Sequence, residues 1–278
     1  MNPVLQDILE TGTVIAEDGT RLPIHSEIPQ VDGEFLQGLI RKERPRRSLE
    51  VGLAYGVSSL YICDALAEVG AERHWVIDPL QNGQDQGAMR YGEEWWRDFG
   101  WSPDVGWRGI GLANLRRAGH AGLVEHLNDP SHLAIPSLIQ RGAEIDFAFI
   151  DGWHTFDYLL VDFFLVDQLL SEGGVVAFDD STNPAIRKAL RYILTNRHYE
   201  VIDEQRVKAP APSLKLRAAN VLAERSGRVR RWLSVELSVR NVDLGLPRGR
   251  CVALRKTRHD VLGDGSGGSR RWNDHHPF

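Results

Sequence analysis

One stretch constrains what this chain can fold into more than any other: residues 145–180, IDFAFIDGWHTFDYLLVDFFLVDQLLSEGGVVAFDD. Ile145 to Ile150 is a run of mostly β-forming residues, the length of a buried strand, and it leads directly into Asp151. From Thr155 to Leu170, apolar side chains recur at helical spacing on Phe156, Leu159, Leu160, Phe163, Phe164, Val166 and Leu169. Gly173-Gly174 is expected to stop that helix. Val175 to Phe178 reads as a second apolar strand, and it too ends on acid, Asp179-Asp180. Strand, helix and strand in so short a span form a parallel crossover unit. Asp151, Asp179 and Asp180 then sit where parallel strands end, on the edge at which open α/β sheets hold ligands. His154 lies in the same loop as Asp151, so three carboxylates and an imidazole are expected to converge there.

A second constellation lies upstream. Ser48 to Gly52 reads as the first strand of the main sheet, followed by Leu53-Ala54-Tyr55-Gly56-Val57-Ser58-Ser59 and a helix through Leu60, Ile62, Leu66 and Ala67. Glycines 52 and 56, between a strand and a helix, let backbone approach a ligand closely with the helix N-terminus facing it. The next strand, His74 to Ile77, ends on Asp78, the position at which such folds hydrogen-bond ribose hydroxyls.

The pattern E-x-G-x-x-x-G-x-S, followed by an acid after the next strand, resembles the first two motifs of class I S-adenosylmethionine-dependent methyltransferases. The resemblance implies a Rossmann-like α/β fold with a seven-stranded, mostly parallel sheet and helices on both faces. It also implies cofactor-binding roles for Glu50, Gly52, Leu53, Ala54, Tyr55, Gly56, Ser58, Ser59 and Asp78. The loop after the third strand, Val124 to Leu127, flanks the adenine in that family, which makes Asp129, Ser131 and His132 candidates, and Asp151 borders the same cofactor.

Asp151, Asp179 and Asp180 could serve only as helix caps. Two consecutive acids at a buried strand end repel each other, however, and a divalent cation would relieve that repulsion. Three hard oxygen donors with no cysteine beside them favour Mg²⁺ over zinc. F-I-D-G-x-H followed by L-L-x-x-G-G-V-V-x-F-D-D is similar to the metal-dependent small-molecule O-methyltransferases, most of all to the macrocin- and mycinamicin-type sugar O-methyltransferases. That resemblance implies Mg²⁺ on Asp151, Asp179 and Asp180, with His154 as the base where related caffeoyl-CoA and catechol enzymes carry lysine. The middle ligand is often Glu in the sugar-modifying branch, whereas Asp179 stands here. The acceptor implied is a hydroxylated small molecule: a sugar, macrolide, polyketide or phenol. Two alternatives are a relative of the cephalosporin hydroxylase-type proteins, which share the metal motif, and a non-catalytic, cofactor-binding partner protein.

The rest of the chain frames this domain. Residues 1–47 read as an N-terminal cap or flap, with a hairpin around Asp18-Gly19 and a helix carrying Phe35, Leu36, Leu39 and Ile40. By the resemblance, residues 48–258 are expected to form the methyltransferase domain, with a final strand at Cys251 to Leu254. Between Arg206 and Arg258 stand fourteen Lys or Arg against three acids, so residues 205–245 are expected to form a solvated basic helical insertion. The Gly- and Ser-rich tail, 259–278, is expected to be disordered. The aromatic cluster Trp95, Trp96, Phe99, Trp101 and Trp107 suits an acceptor pocket or packing against the sheet, and a homo-oligomer stays open. A net charge of −5 gives no overall basic footprint for nucleic acid, and no apolar run reaches membrane-spanning length. The two cysteines, Cys63 and Cys251, are expected to be reduced and buried in a cytoplasmic protein.

Overall fold

The computed structural model describes residues 1–25, 27–81, 107–205, 246–247 and 249–259. The chain starts with helix α1 (Pro3–Thr11), which the periodicity of the sequence does not announce. Its signals are at its ends. The Asn2 side chain accepts from the Leu5 N–H at 2.9 Å, Pro3 opens the first turn, and Gly12 closes the helix with φ 63°. The expected hairpin follows as antiparallel β1 (Thr13–Ile15) and β2 (Arg21–Pro23). Helix α2 (Gln30–Glu43) then buries Leu36, Leu39 and Ile40.

The main sheet is built from β3 (Arg47–Val51), α3 (Val57–Val69), β4 (Arg73–Ile77), α4 (Ile110–Arg117), β5 (Val124–Leu127), α5 (Ser131–Gln140) and β6 (Ile145–Ile150). It continues through α6 (Phe156–Leu169), β7 (Leu170–Phe178), α7 (Pro184–Asn196), β8 (Tyr199–Glu204) and β9 (Val252–Lys256). Among the described residues the sheet has seven strands in the order β5-β4-β3-β6-β7-β9-β8. The pairings from β5 to β7 are parallel, and β9 runs antiparallel to both of its neighbours. The order reverses between β3 and β6, which opens a crevice at the carboxyl ends of these strands.

Alternation along the strands divides the core. Phe147, Phe149, Val175 and Ala177 pack with α1, α2 and α3 through residues such as Leu5, Leu36 and Leu60. Ala148, Ile150, Val176 and Phe178 pack with α5, α6 and α7 through Ile135, Phe163 and Leu190. The N-terminal segment is therefore part of the first core, since Leu5, Ile8 and Val14 are buried in it.

One expectation is corrected. Gly173-Gly174 does not end the long helix: α6 stops at Leu169, Leu170 is already extended, and both glycines lie within β7. Gly173 takes φ 81° where the β6–β7 register shifts, and a Cβ on Gly174 would lie 2.8 Å from Leu170 Cδ1. The pair serves an irregularity in the strand and a tight packing contact, which is the second common use of such glycines.

The turn from α6 into β7 is held by a buried cation. Lys256 Nζ donates to the carbonyl oxygens of Asp167 and Leu170 at 2.5 and 2.9 Å and lies 3.1 Å from the Asp167 carboxylate. Replacing Lys256 with methionine strands two buried carbonyls at the negative end of α6. It is expected to lower unfolding free energy by about 3 kcal/mol, measured by urea denaturation.

Both cysteines are free and buried. No described helix is long and apolar enough to cross a membrane.

Candidate active site

The first strand of the sheet delivers the glycine turn. Gly52 takes φ 96° and its N–H donates to the Ile77 carbonyl at 2.9 Å, while Gly56 takes φ 80° at the start of α3. Ala54 also has positive φ, 48°, inside the same turn. The acid at the end of β4 fixes this conformation. Asp78 Oδ2 accepts from the Leu53 and Ala54 N–H groups at 3.2 and 2.9 Å and from Gln81 Nε2 at 3.1 Å, and Oδ1 accepts from the Leu80 N–H at 2.7 Å. Burial nevertheless raises the Asp78 carboxyl above the ordinary carboxylate value, with these four bonds opposing it.

Glu50 lies one layer deeper. It is fully buried and accepts hydrogen bonds from the hydroxyls of Ser58, at 2.5 Å, and Ser59. His74 Nε2 is 3.1 Å away, with its Nδ1 2.9 Å from Ser48 Oγ. The carboxylate thus pins the first turn of α3 to β3 and β4 from beneath. No side chain caps α3 from above, so its N-terminus keeps donors for an anion.

A cavity of about 500 Å³ lies over this turn. Gly52, Leu53, Ala54, Tyr55, Ser58 and Asp78 form its floor. Pro130, Ser131, Tyr158 and Asp162 form one wall, and Asp151, Gly152, Trp153 and His154 another. Glu27 and Ile28 from the N-terminal segment also border it, which places that segment at the cavity mouth. Tyr55 is held there by His25, whose Nε2 is 3.0 Å from the phenol oxygen, and by an edge contact with the Trp107 ring.

Of the residues expected to touch a cofactor, Gly52, Leu53, Ala54, Tyr55, Ser58, Asp78, Ser131 and Asp151 line this cavity. Glu50 and Ser59 support it from below, and Gly56 backs onto Gly111, whose carbonyl a Cβ at Gly56 would approach to 3.1 Å. Asp129 lies outside the lining, half-buried, and His132 is exposed with its ring against Tyr158. Sequence reasoning missed Asp162, a buried acid on α6 whose Oδ1 finds no partner and whose carboxyl burial pushes up to about 6. Its only signal in the sequence is an acid on an otherwise apolar helical face. Trp95, Trp96, Phe99 and Trp101 lie outside the described residues, as do the basic stretch 206–245 and the tail from 260.

At the far end of the cavity the loop after β6 brings His154 back onto Asp151: Nε2 lies 3.1 Å from Oδ1, and Nδ1 lies 3.5 Å from Asp180 Oδ2. The hydrogen bond to Asp151 raises the imidazole above its ordinary value against the cost of burial, and Asp180 and Asp179 add to the effect. Burial raises Asp151 in turn, opposed by His154, and pushes Asp179 up to about 8 with the Asp151 charge adding to it. Asp180 holds a left-handed conformation, φ 46°.

Asp151, Asp179 and Asp180 are brought together, but not around a common centre. Among the described residues no group of three or more His, Cys, Asp or Glu side chains is arranged to hold a metal ion. His154 stands on one side of the acids, and Arg250 on the other, with Nε 3.3 Å from Asp180, 3.8 Å from Asp179 and 3.2 Å from Asp32. As placed, this donor set does not fit the Mg²⁺ geometry that the sequence suggested.

Residues 49–181 match the family model described as a methyltransferase domain. That span contains the glycine turn, Asp78, the Asp151–His154 loop and the acids after β7, so the likeness to a methyltransferase domain falls on the part of the chain that builds the cavity. Two of the solved structures similar to this chain are O-methyltransferases with a bound donor or its product. An O-methyltransferase from Bacillus cereus in complex with SAH is 21% identical over 74% of this chain and 86% of its own, with a TM-score of 0.50. The O-methyltransferase TomG from Streptomyces achromogenes, involved in tomaymycin synthesis and in complex with SAM, is 21% identical over 74% and 84%, with a TM-score of 0.51. The fold is the Rossmann-like fold of these methyltransferases. Comparison with curated proteins finds no match.

Proposed function

We propose that the protein is an S-adenosylmethionine-dependent O-methyltransferase acting on a hydroxyl of a small molecule such as a sugar, macrolide, polyketide or phenol. One observation carries the reading: a single cavity joins the glycine turn and Asp78 at one end to the Asp151–His154 pair at the other. The uncapped N-terminus of α3 suits the carboxylate of a methionine moiety, and the wall at Ser131 and Tyr158 suits a flat base. The donor supplies an electrophilic methyl group on a sulfonium.

The chain's own residues supply position and a proton acceptor. With Nε2–H donated to Asp151, the neutral imidazole presents the Nδ1 lone pair towards Asp180. An acceptor hydroxyl entering there gives its proton to Nδ1 as its oxygen bonds to the methyl carbon and the carbon–sulfur bond breaks. Asp151 stabilises the imidazolium that results. This reading needs no Mg²⁺, because the carboxylates face His154 and Arg250. It is supported by the domain match and by the neighbours' bound SAM and SAH.

Isothermal titration tests the first half: S-adenosylmethionine and its demethylated product should bind stoichiometrically. Asp78→Ala, which releases the Leu53 and Ala54 amides, is expected to weaken binding at least 100-fold. No cofactor binding by a folded wild-type protein would remove the reading. Turnover on a panel of hydroxylated acceptors tests the second half. Binding without turnover on any of them would favour the partner-protein alternative.

A further inference from the structure

The acids at the edge of β7 lie in a place the catalytic argument does not fully use. Among the described residues Asp179, almost completely buried, has no hydrogen-bond partner for Oδ1, and Asp32, from the first turn of α2, is buried with none for either oxygen. Together with Asp151 and Asp180 they make four carboxyl groups in one neighbourhood, and burial penalises the ionised forms of Asp32, Asp151 and Asp179 unless a cation stands beside them.

The sheet itself delivers the second cation. Phe178 pairs with Val252 as the last rung of the antiparallel β7–β9 ladder, so Asp180, two residues after β7, and Arg250, two residues before β9, emerge at the same end of it. The backbone at that point is anchored. The Ser181 N–H donates to the Arg250 carbonyl at 2.7 Å, and the Arg250 N–H donates to Gln205 at 3.0 Å. From this fixed base the side chain reaches three carboxylates from two elements, with Nε at 3.2 Å from Asp32, 3.3 Å from Asp180 and 3.8 Å from Asp179; these are ion pairs, since Nε makes no hydrogen bond among the described residues.

We propose that Arg250 is the resident cation of this acidic edge, holding Asp32, Asp179 and Asp180 in the place a divalent ion would take, so that the site works without a bound metal. A divalent ion needs oxygens converging at about 2.0–2.6 Å on one point. Here Asp151 is committed to His154, and Asp180 lies between His154 and Arg250. The guanidinium, planar and permanently charged, can serve several carboxylates at once without such convergence. Arg250 is thus a positioning residue: its charge holds Asp180 beside the Nδ1 side of the His154 ring.

The inference concerns the acceptor end of the site proposed above, but metal binding is measured without turnover, so the two readings can fail separately. Manganese binding to the full chain, followed by electron paramagnetic resonance, is the direct test. Wild type is expected to show no saturable Mn²⁺ site below millimolar concentration. Arg250→Gln, with its fold checked by circular dichroism, is expected to gain one site at least tenfold tighter, which adding Asp179→Asn removes. Arg250→Lys, which keeps the charge, should gain none. A stoichiometric Mn²⁺ site in wild type that Asp179→Asn abolishes would overturn the proposal. So would a folded Arg250→Gln protein that binds no more Mn²⁺ than wild type. The wild-type measurement decides even where the glutamine variant fails to fold.

Discussion

Replacing Gly52 with alanine is expected to destabilise the protein by more than about 4 kcal/mol and to abolish cofactor binding in whatever fraction still folds. A Cβ at this position would sit 2.1 Å from the Asp151 carbonyl oxygen. That atom cannot move aside, because the Asp151 N–H is bonded to the Val51 carbonyl at 2.9 Å and β6 is paired to β3 from Phe147 to Ile150. The residue also needs φ 96°, which an alanine reaches only with strain. Steric conflict and strain therefore act on the one turn that forms the cavity floor. Gly142→Ala supplies the control. It has φ 66° but open space around its Cβ position, and should cost only about 1 kcal/mol. Urea denaturation of the two variants separates the contributions: equal losses would show that the contact with Asp151 does not matter.

The second large effect falls on turnover. His154→Gln is expected to lower kcat by about 10²–10⁴-fold while leaving affinity for S-adenosylmethionine within a few-fold of wild type. The side chain reaches the acceptor end of the cavity and makes no bond to the glycine turn. The wild-type pH profile carries a matching signature. The imidazole must be neutral to accept a proton, and its ring faces Asp151, Asp180 and Asp179, with the hydrogen bond to Asp151 the main influence raising its pKa. The rate should therefore fall as pH drops, along a limb centred above the ordinary histidine value of 6.5. Asp151→Asn removes the main raising influence and should move that limb to lower pH. An unchanged limb in Asp151→Asn would assign the titration to another group.

Much of this arrangement was legible in the sequence because short apolar runs ended on acids. Ile77, Ile150 and Phe178 each end a buried strand and are followed by Asp78, Asp151 and Asp179, and these acids had to meet at one sheet edge once the strands were parallel. The glycine turn was legible for a similar reason, since two glycines between a strand and a helix have few other uses. What stayed hidden depended on contacts across long separations or on depth. Glu50 looks like a ligand in the sequence, yet its partners Ser58, Ser59 and His74 close over it below the cavity. Asp78 reads as a ribose acceptor, and its oxygens prove to be engaged with the protein's own amides. Asp32 and Arg250 carry no local pattern at all. They meet the strand-end acids only because β9 returns beside β7, after a stretch whose length and composition say nothing about where it re-enters the sheet. Gly173-Gly174 misled because a glycine pair after a helical repeat ordinarily marks a terminus, whereas here the strand had already begun.

The position of β9 between β7 and β8 also fixes an order of assembly on the ribosome. Tyr199–Glu204 is synthesised well before Val252–Lys256, yet among the described residues it has no ladder partner until those later residues emerge. Until then Asp167 has Arg197 and Tyr199 but not its lysine, and Asp179 and Asp180 lack their arginine, so a nascent chain halted near residue 205 carries an exposed strand edge beside incompletely compensated buried acids. Chaperone capture and protease nicking should concentrate on that intermediate and disappear once Lys256 has cleared the exit tunnel.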